Sequence, residues 1–167
     1  MPALNVSLSE DQPKSADKLK KRMQDRLRGL SATPANTVLW QQRNNRVLIH
    51  VDSLHAQVLN GWLLCNLDLQ TDETGRQTLQ FIFYLGTTGH GDGLQASATI
   101  NAATPQAAHL AEVWGTIVQR VLWDAVLDAL EAFVEQTAAR HPGLPVAIQG
   151  FQSTPNGLTA VLLVGDK

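Results

Sequence analysis

The sequence predicts an α+β fold: a mainly antiparallel sheet of five to seven strands packed against one long helix, with an amino-terminal basic helix and a carboxy-terminal β-hairpin. Three features carry that prediction. Apolar and polar residues alternate on both sides of turn signals between residues 36 and 101. A four-residue apolar repeat then runs unbroken from Val113 to Val134. Ahead of both, Leu19, Met23, Leu27 and Leu30 recur at helical spacing among lysines and arginines.

Residues 1–13 show no sustained period and read as a mobile tail. The basic helix occupies 14–33, with Ser15 as its cap and Pro34 beyond its end. Its apolar stripe is narrow, and a helix this short needs a surface to pack on. Residues 34–167 read as a single α+β domain. Strands over 37–42 and 46–51 flank Asn44-Asn45, a pair that tolerates the positive φ of a tight turn. Leu63, Cys65, Leu67 and Leu69 alternate with Asn66, Asp68 and Gln70; Leu79, Phe81, Phe83 and Leu85 repeat the pattern after the turn at Asp72-Glu73-Thr74-Gly75. The segment 55–60 fits either a strand extension or a turn. Thr104 and Pro105 open the long helix, which stops at His141-Pro142-Gly143, and the final hairpin turns around Thr154-Pro155-Asn156-Gly157.

The long helix carries six apolar pairs spaced by four residues. An α-helix turns once per ~3.6 residues, so each step drifts by about 40°, and five steps by about 200°. No straight helix can lay all six pairs on one flat sheet. Either it bends, with Gly115 the easiest place, or its ends are covered from different sides. Trp123 and Leu127 lie opposite part of the stripe, so the middle is apolar nearly all round and calls for a second cover. The amino-terminal stripe could supply it within the chain, or the same helix of a second subunit could.

Composition limits the function. The chain has 167 residues and 18.2 kDa, with 44% hydrophobic residues, enough for one core. Cys65 is the sole cysteine, which excludes an intramolecular disulfide and weighs against a zinc site built on cysteines. No apolar run reaches the ~18 residues of a membrane span, and no signal-peptide core opens the chain. A cytoplasmic protein without a membrane span is expected. The net charge of −2 conceals an asymmetry. Residues 14–28 hold seven bases and two acids, for +5, and the remainder holds six bases and thirteen acids, for −7. Lys18, Lys20, Lys21, Arg22, Arg26 and Arg28 are therefore the candidate contacts for an anionic partner, an acidic protein or, with less support, nucleic acid.

Two clusters invite chemistry. Gly86-Thr-Thr-Gly-His-Gly-Asp-Gly93 surrounds His90 and Asp92 with glycines, a loop that could bring backbone amides and an acid–base pair to a ligand. It lacks the lysine of a phosphate-binding loop and joins strand to strand, so a plain hairpin loop explains it as well. His50, Asp52 and His55 could offer two imidazoles and a carboxylate to a divalent metal, although their spacing matches no established motif. A solvated polar sheet face accounts for the same residues. No cofactor fingerprint and no nucleophile elbow are found.

The expected function is therefore a non-enzymatic binding or assembly module. It would self-associate as a homodimer through the long helix, with Trp114, Trp123 and Leu127 in the interface. Two alternatives compete with it. One is a small-molecule-binding protein or small enzyme using His90 and Asp92; the other is a chaperone or adaptor for a protein partner.

Overall fold

The computed structural model describes residues 3–7, 13–31, 35–59, 62–87, 94–154 and 157–165, with side chains described over 19–31, 35–58, 62–84, 98–147 and 161–165. The fold is α+β. Five antiparallel strands in sequential order form the main sheet: β2 (Thr37–Gln42), β3 (Asn45–Leu59), β4 (Trp62–Thr71), β5 (Gly75–Thr87) and β6 (Leu94–Ala102). Two helical segments pack on its inner face. The first is α1 (Pro13–Arg28); the second runs from α2 (Pro105–Leu110) through a π-helical turn (Ala111–Gly115) into α3 (Thr116–Arg140). A smaller sheet of order β1-β8-β7 holds β1 (Ala3–Ser7), β7 (Val146–Thr154) and β8 (Gly157–Val164), and β7 lies against β5, β6 and α3.

Alternation fixes the two faces. Val47, Ile49, Leu63, Cys65, Leu67, Leu69, Leu79, Phe81 and Phe83 are all buried, and their neighbours in sequence turn outward. In β3 the inward set shifts from Val47, Ile49 and Val51 to Leu54, Ala56 and Val58. The shift of one position marks a bulge, where the register with β4 slips between His50 and His55. Ser53 repairs the broken ladder: its hydroxyl donates to the carbonyl of His50 at 2.6 Å and accepts from the Asp68 amide at 2.8 Å. The segment from His55 to Leu59 is thus a strand extension, paired through Leu59↔Trp62.

Three details of the sequence reading change. Residues 3–7, read as part of a tail, pair with β8 from Ala3↔Leu163 to Ser7↔Thr159, because a hairpin edge offers unpaired backbone groups. Ser15 lies inside α1, which already begins at Pro13, a residue suited to a first helical turn. In the β2–β3 turn the positive φ, 52°, falls on Arg43, since Gln42↔Asn45 closes the hairpin one residue earlier than the Asn44-Asn45 pair implies. The helix start is as the sequence reads it, with Thr104 Oγ1 accepting from the Ala107 amide at 3.0 Å.

The π-helical turn resolves the four-residue drift. Leu110, Trp114, Val118 and Leu122 stay buried although each lies four residues after the last. Hydrogen bonds that close over five residues wind the chain more slowly and take back part of the ~40° lead per step. Adjacent residues here reach both edges of the sheet. Trp114 meets Trp40 of β2 with ring centroids 5.6 Å apart, and Gly115 faces Ile100 of β6. Edge strands of a flat five-stranded sheet stand about 19 Å apart, so the sheet curls around the turn.

Candidate functional site

The basic helix is the natural first candidate, and it is docked within the chain. Leu19, Met23 and Leu27 are buried between α3 and β3, and the Cys65 thiol lies 3.8 Å from the Met23 sulfur. Gln24 donates its side-chain amide to the Val51 carbonyl at the bulge, at 3.3 Å. Arg26 makes a bidentate pair with Asp128 of α3, at 2.7 and 2.8 Å, and this hydrogen bonding holds the Asp128 carboxyl below the usual carboxylate range. Arg28 donates to Asn36 at 3.2 Å and lies 3.5 Å from Asp25. Two of the six bases proposed for an anionic partner are therefore engaged in cis. Lys20 and Arg22 are half-buried and Lys21 is exposed, while the Lys18 side chain lies outside the described residues.

The residues expected at a helix-mediated interface separate. Trp114 is buried against Trp40, and Trp123 is half-buried with its ring stacked 6.0 Å from Phe83. Leu127 alone of the three is exposed, at 37%. The outward stripe of the helix, Val113, Thr116, Arg120, Leu127 and Glu131, is mostly polar. The second cover that the long helix calls for is α1.

The outer face of the main sheet holds His50, Asp52 and His55, and it does not gather them. His50 Nε2 lies 2.9 Å from Gln70 Oε1, His55 pairs across to Asn66, and Asp52 is exposed beside the bulge. Among the described residues no group of three or more His, Cys, Asp or Glu side chains could hold a metal ion. Asp68 is instead a structural carboxylate. Partial burial works to raise it, yet hydrogen bonds from Thr78 at 2.6 Å and Arg76 at 2.7 Å, with the charges of Arg76 and His50, keep it below the usual range. Farther along, Trp62 and Tyr84 face each other across the ladder with centroids 4.8 Å apart, 43% and 39% exposed. Leu64 and Ile82 form the next rung, and Leu39 is 49% exposed on the same face.

A separate cleft opens at the end of the sheet where the β2–β3 and β4–β5 turns meet the π-helical turn. It encloses about 260 Å³ above Leu110, Val113 and Trp114, and continues past Asn45 into a second hollow of about 240 Å³. Asn44, Asn45 and Arg46 form one wall; Thr71, Asp72 and Glu73 form another, and His109 approaches Glu73 at 3.6 Å. Sequence reading missed this site because its residues come from three turns, each unremarkable alone. His90 and Asp92 of the glycine-rich segment lie outside the described residues.

No protein-family model, curated protein or solved structure matches the chain. Among the described residues no helix is long and apolar enough to cross a membrane.

Proposed function

We propose that the protein is a non-enzymatic binding and assembly module that self-associates through the outer face of its five-stranded sheet. The observation that carries this reading is the exposed Trp62–Tyr84 pair, continued by Leu64 and Ile82. Aromatic residues contribute most where a large ring can be buried with its polar tip at the rim, and among the described residues three of the five large exposed hydrophobics share this face. Size and charge favour a second copy as the occupant. Five strands at about 4.8 Å spacing and a ten-residue strand at about 3.4 Å per residue give a face of about 800 Å², the share each partner gives to a standard interface. The face's described charges balance, Arg46 and Arg76 against Asp52 and Asp68, so it can meet its own copy without like-charge cost.

The long helix contributes at most its exposed edge at Val113 and Leu127, since α1 and the sheet take the rest. Sedimentation equilibrium tests the proposal. Wild-type protein at micromolar concentration is expected to be dimeric, and the Trp62→Ala/Tyr84→Ala variant monomeric and folded. A strictly monomeric wild type removes the reading. Trp123→Ala separates the two faces: with the outer face as the interface it lowers stability and leaves the dimer in place.

A further inference from the structure

The cleft lies at the opposite end of β4 from the Trp62–Tyr84 pair, and Arg46 borders both the cleft and the outer face. Arg46 and Asp72 both line the cleft, where the β3–β4 pairing has already ended at Leu48↔Gln70. No ion pair or hydrogen bond closes between the two among the described residues. Arg43, in the turn that precedes β3, borders the adjoining hollow and makes no ion pair among the described residues. The side-chain amides of Asn44 and Asn45 make no hydrogen bond among the described residues. A cationic wall and an anionic one thus line one cleft, with the side-chain amides of Asn44 and Asn45 beside them and an apolar floor of Leu110, Val113 and Trp114.

The floor is formed by the π-helical turn, and such turns recur at ligand sites because the widened backbone re-aims the side chains around it. Here it turns Trp114 inward onto Trp40 and leaves Val113 39% exposed toward the cleft. A polyanion would be repelled by Asp72 and Glu73, and a bare cation by Arg43 and Arg46. A dipolar molecule satisfies both walls. The volume, just below the usual range for drug-sized ligands, restricts it to a few heavy atoms beyond the charged groups.

We propose that this cleft binds a small zwitterion, an α-amino acid with an apolar side chain, with its carboxylate toward Arg46, its ammonium toward Asp72 and its side chain on Val113 and Trp114. The test is a titration of isotope-labelled full-length protein with L-leucine, L-leucinamide and N-acetyl-L-leucine, read from the side-chain amides of Asn44 and Asn45 and the Trp114 indole. L-leucine is expected to shift these signals with a dissociation constant on the order of 1 mM or tighter. Leucinamide lacks the carboxylate and acetyl-leucine the ammonium, so each should bind about tenfold more weakly. Arg46→Gln, at the exposed start of β3, and Asp72→Asn, in the β4–β5 turn, should each weaken L-leucine binding by about tenfold while leaving the signals of the buried core unchanged. No shift with L-leucine up to about 10 mM, or equal binding of the blocked analogues, overturns the proposal.

Discussion

At the level of single residues, Cys65 shows how position decides chemistry. It alternates with leucines on the inner face, and burial pushes its thiol up to about 12 from an ordinary value of 9.0. The folded protein should therefore resist thiol reagents at pH 8 and react only once unfolded. Below about pH 9 both states keep the proton and the stability is fully present. Between about 9 and 12 the unfolded chain alone releases it, so stability falls as the pH rises through that window. The readout is a comparison between two proteins that differ only at this residue. The denaturation midpoint of wild type should drop more steeply with pH than that of Cys65→Ala. Ser53 is the opposite kind of residue, polar and structural. Its hydroxyl bridges His50 and Asp68 at the bulge, and Ser53→Ala leaves both backbone groups short of a partner, at a cost of about 1–3 kcal/mol in chemical denaturation. The sequence did carry the sign of that bulge. Apolar positions step by two through Val47, Ile49 and Val51, then by three to Leu54, a phase slip that marks the extra residue.

Elements raise a different question, namely how regular patterns survive contact with a curved partner. The four-residue repeat of the long helix was legible, and so was its conflict with 3.6 residues per turn. Its resolution was not, because a π-helical turn is chosen by packing rather than by local propensity. Gly115 marks the place. A Cβ built there would come within 2.6 Å of Ile100 Cδ1, so the tip of the Ile100 side chain must shift before any larger residue fits. Gly115→Ala gains about 1 kcal/mol in helix propensity and loses more to overpacking, for a net destabilisation of about 1 kcal/mol. Ile100→Val removes the offending methyl. In that background Gly115→Ala should be neutral or stabilising, and a double-mutant cycle should return a coupling of about 1 kcal/mol. Additive effects would mean that Ile100 is not what holds the glycine in place. In α1 the same logic is simpler: the stripe was readable, and Met23→Ala should cost about 2–5 kcal/mol because the site is fully buried.

The whole molecule turns on which surface covers which. From the sequence, the long helix needs two covers and the basic helix needs one, but the choice between a cis and a trans partner depends on three-dimensional reach that periodicity does not encode. The same holds for the outer sheet face. Trp62 alternates with Leu63 and so falls on the polar side of its strand, yet its pairing with Tyr84 depends on a register known only once the strands are assembled. Because α1 closes the core over Cys65, undocking it exposes buried apolar surface on α3 and β3 as well as a protected thiol. Leu27→Glu places a carboxylate at a fully buried apolar position, and burial of an unpaired carboxylate costs more than the helix can gain by staying docked. The variant should therefore bind a hydrophobic dye, expose Cys65 to thiol reagents at pH 8 and aggregate as mixed species rather than form a discrete dimer. Protected thiol in a well-folded Leu27→Glu protein would show that α1 is dispensable to the core. An orderly dimer formed only when α1 is undocked would instead return the association surface to the long helix.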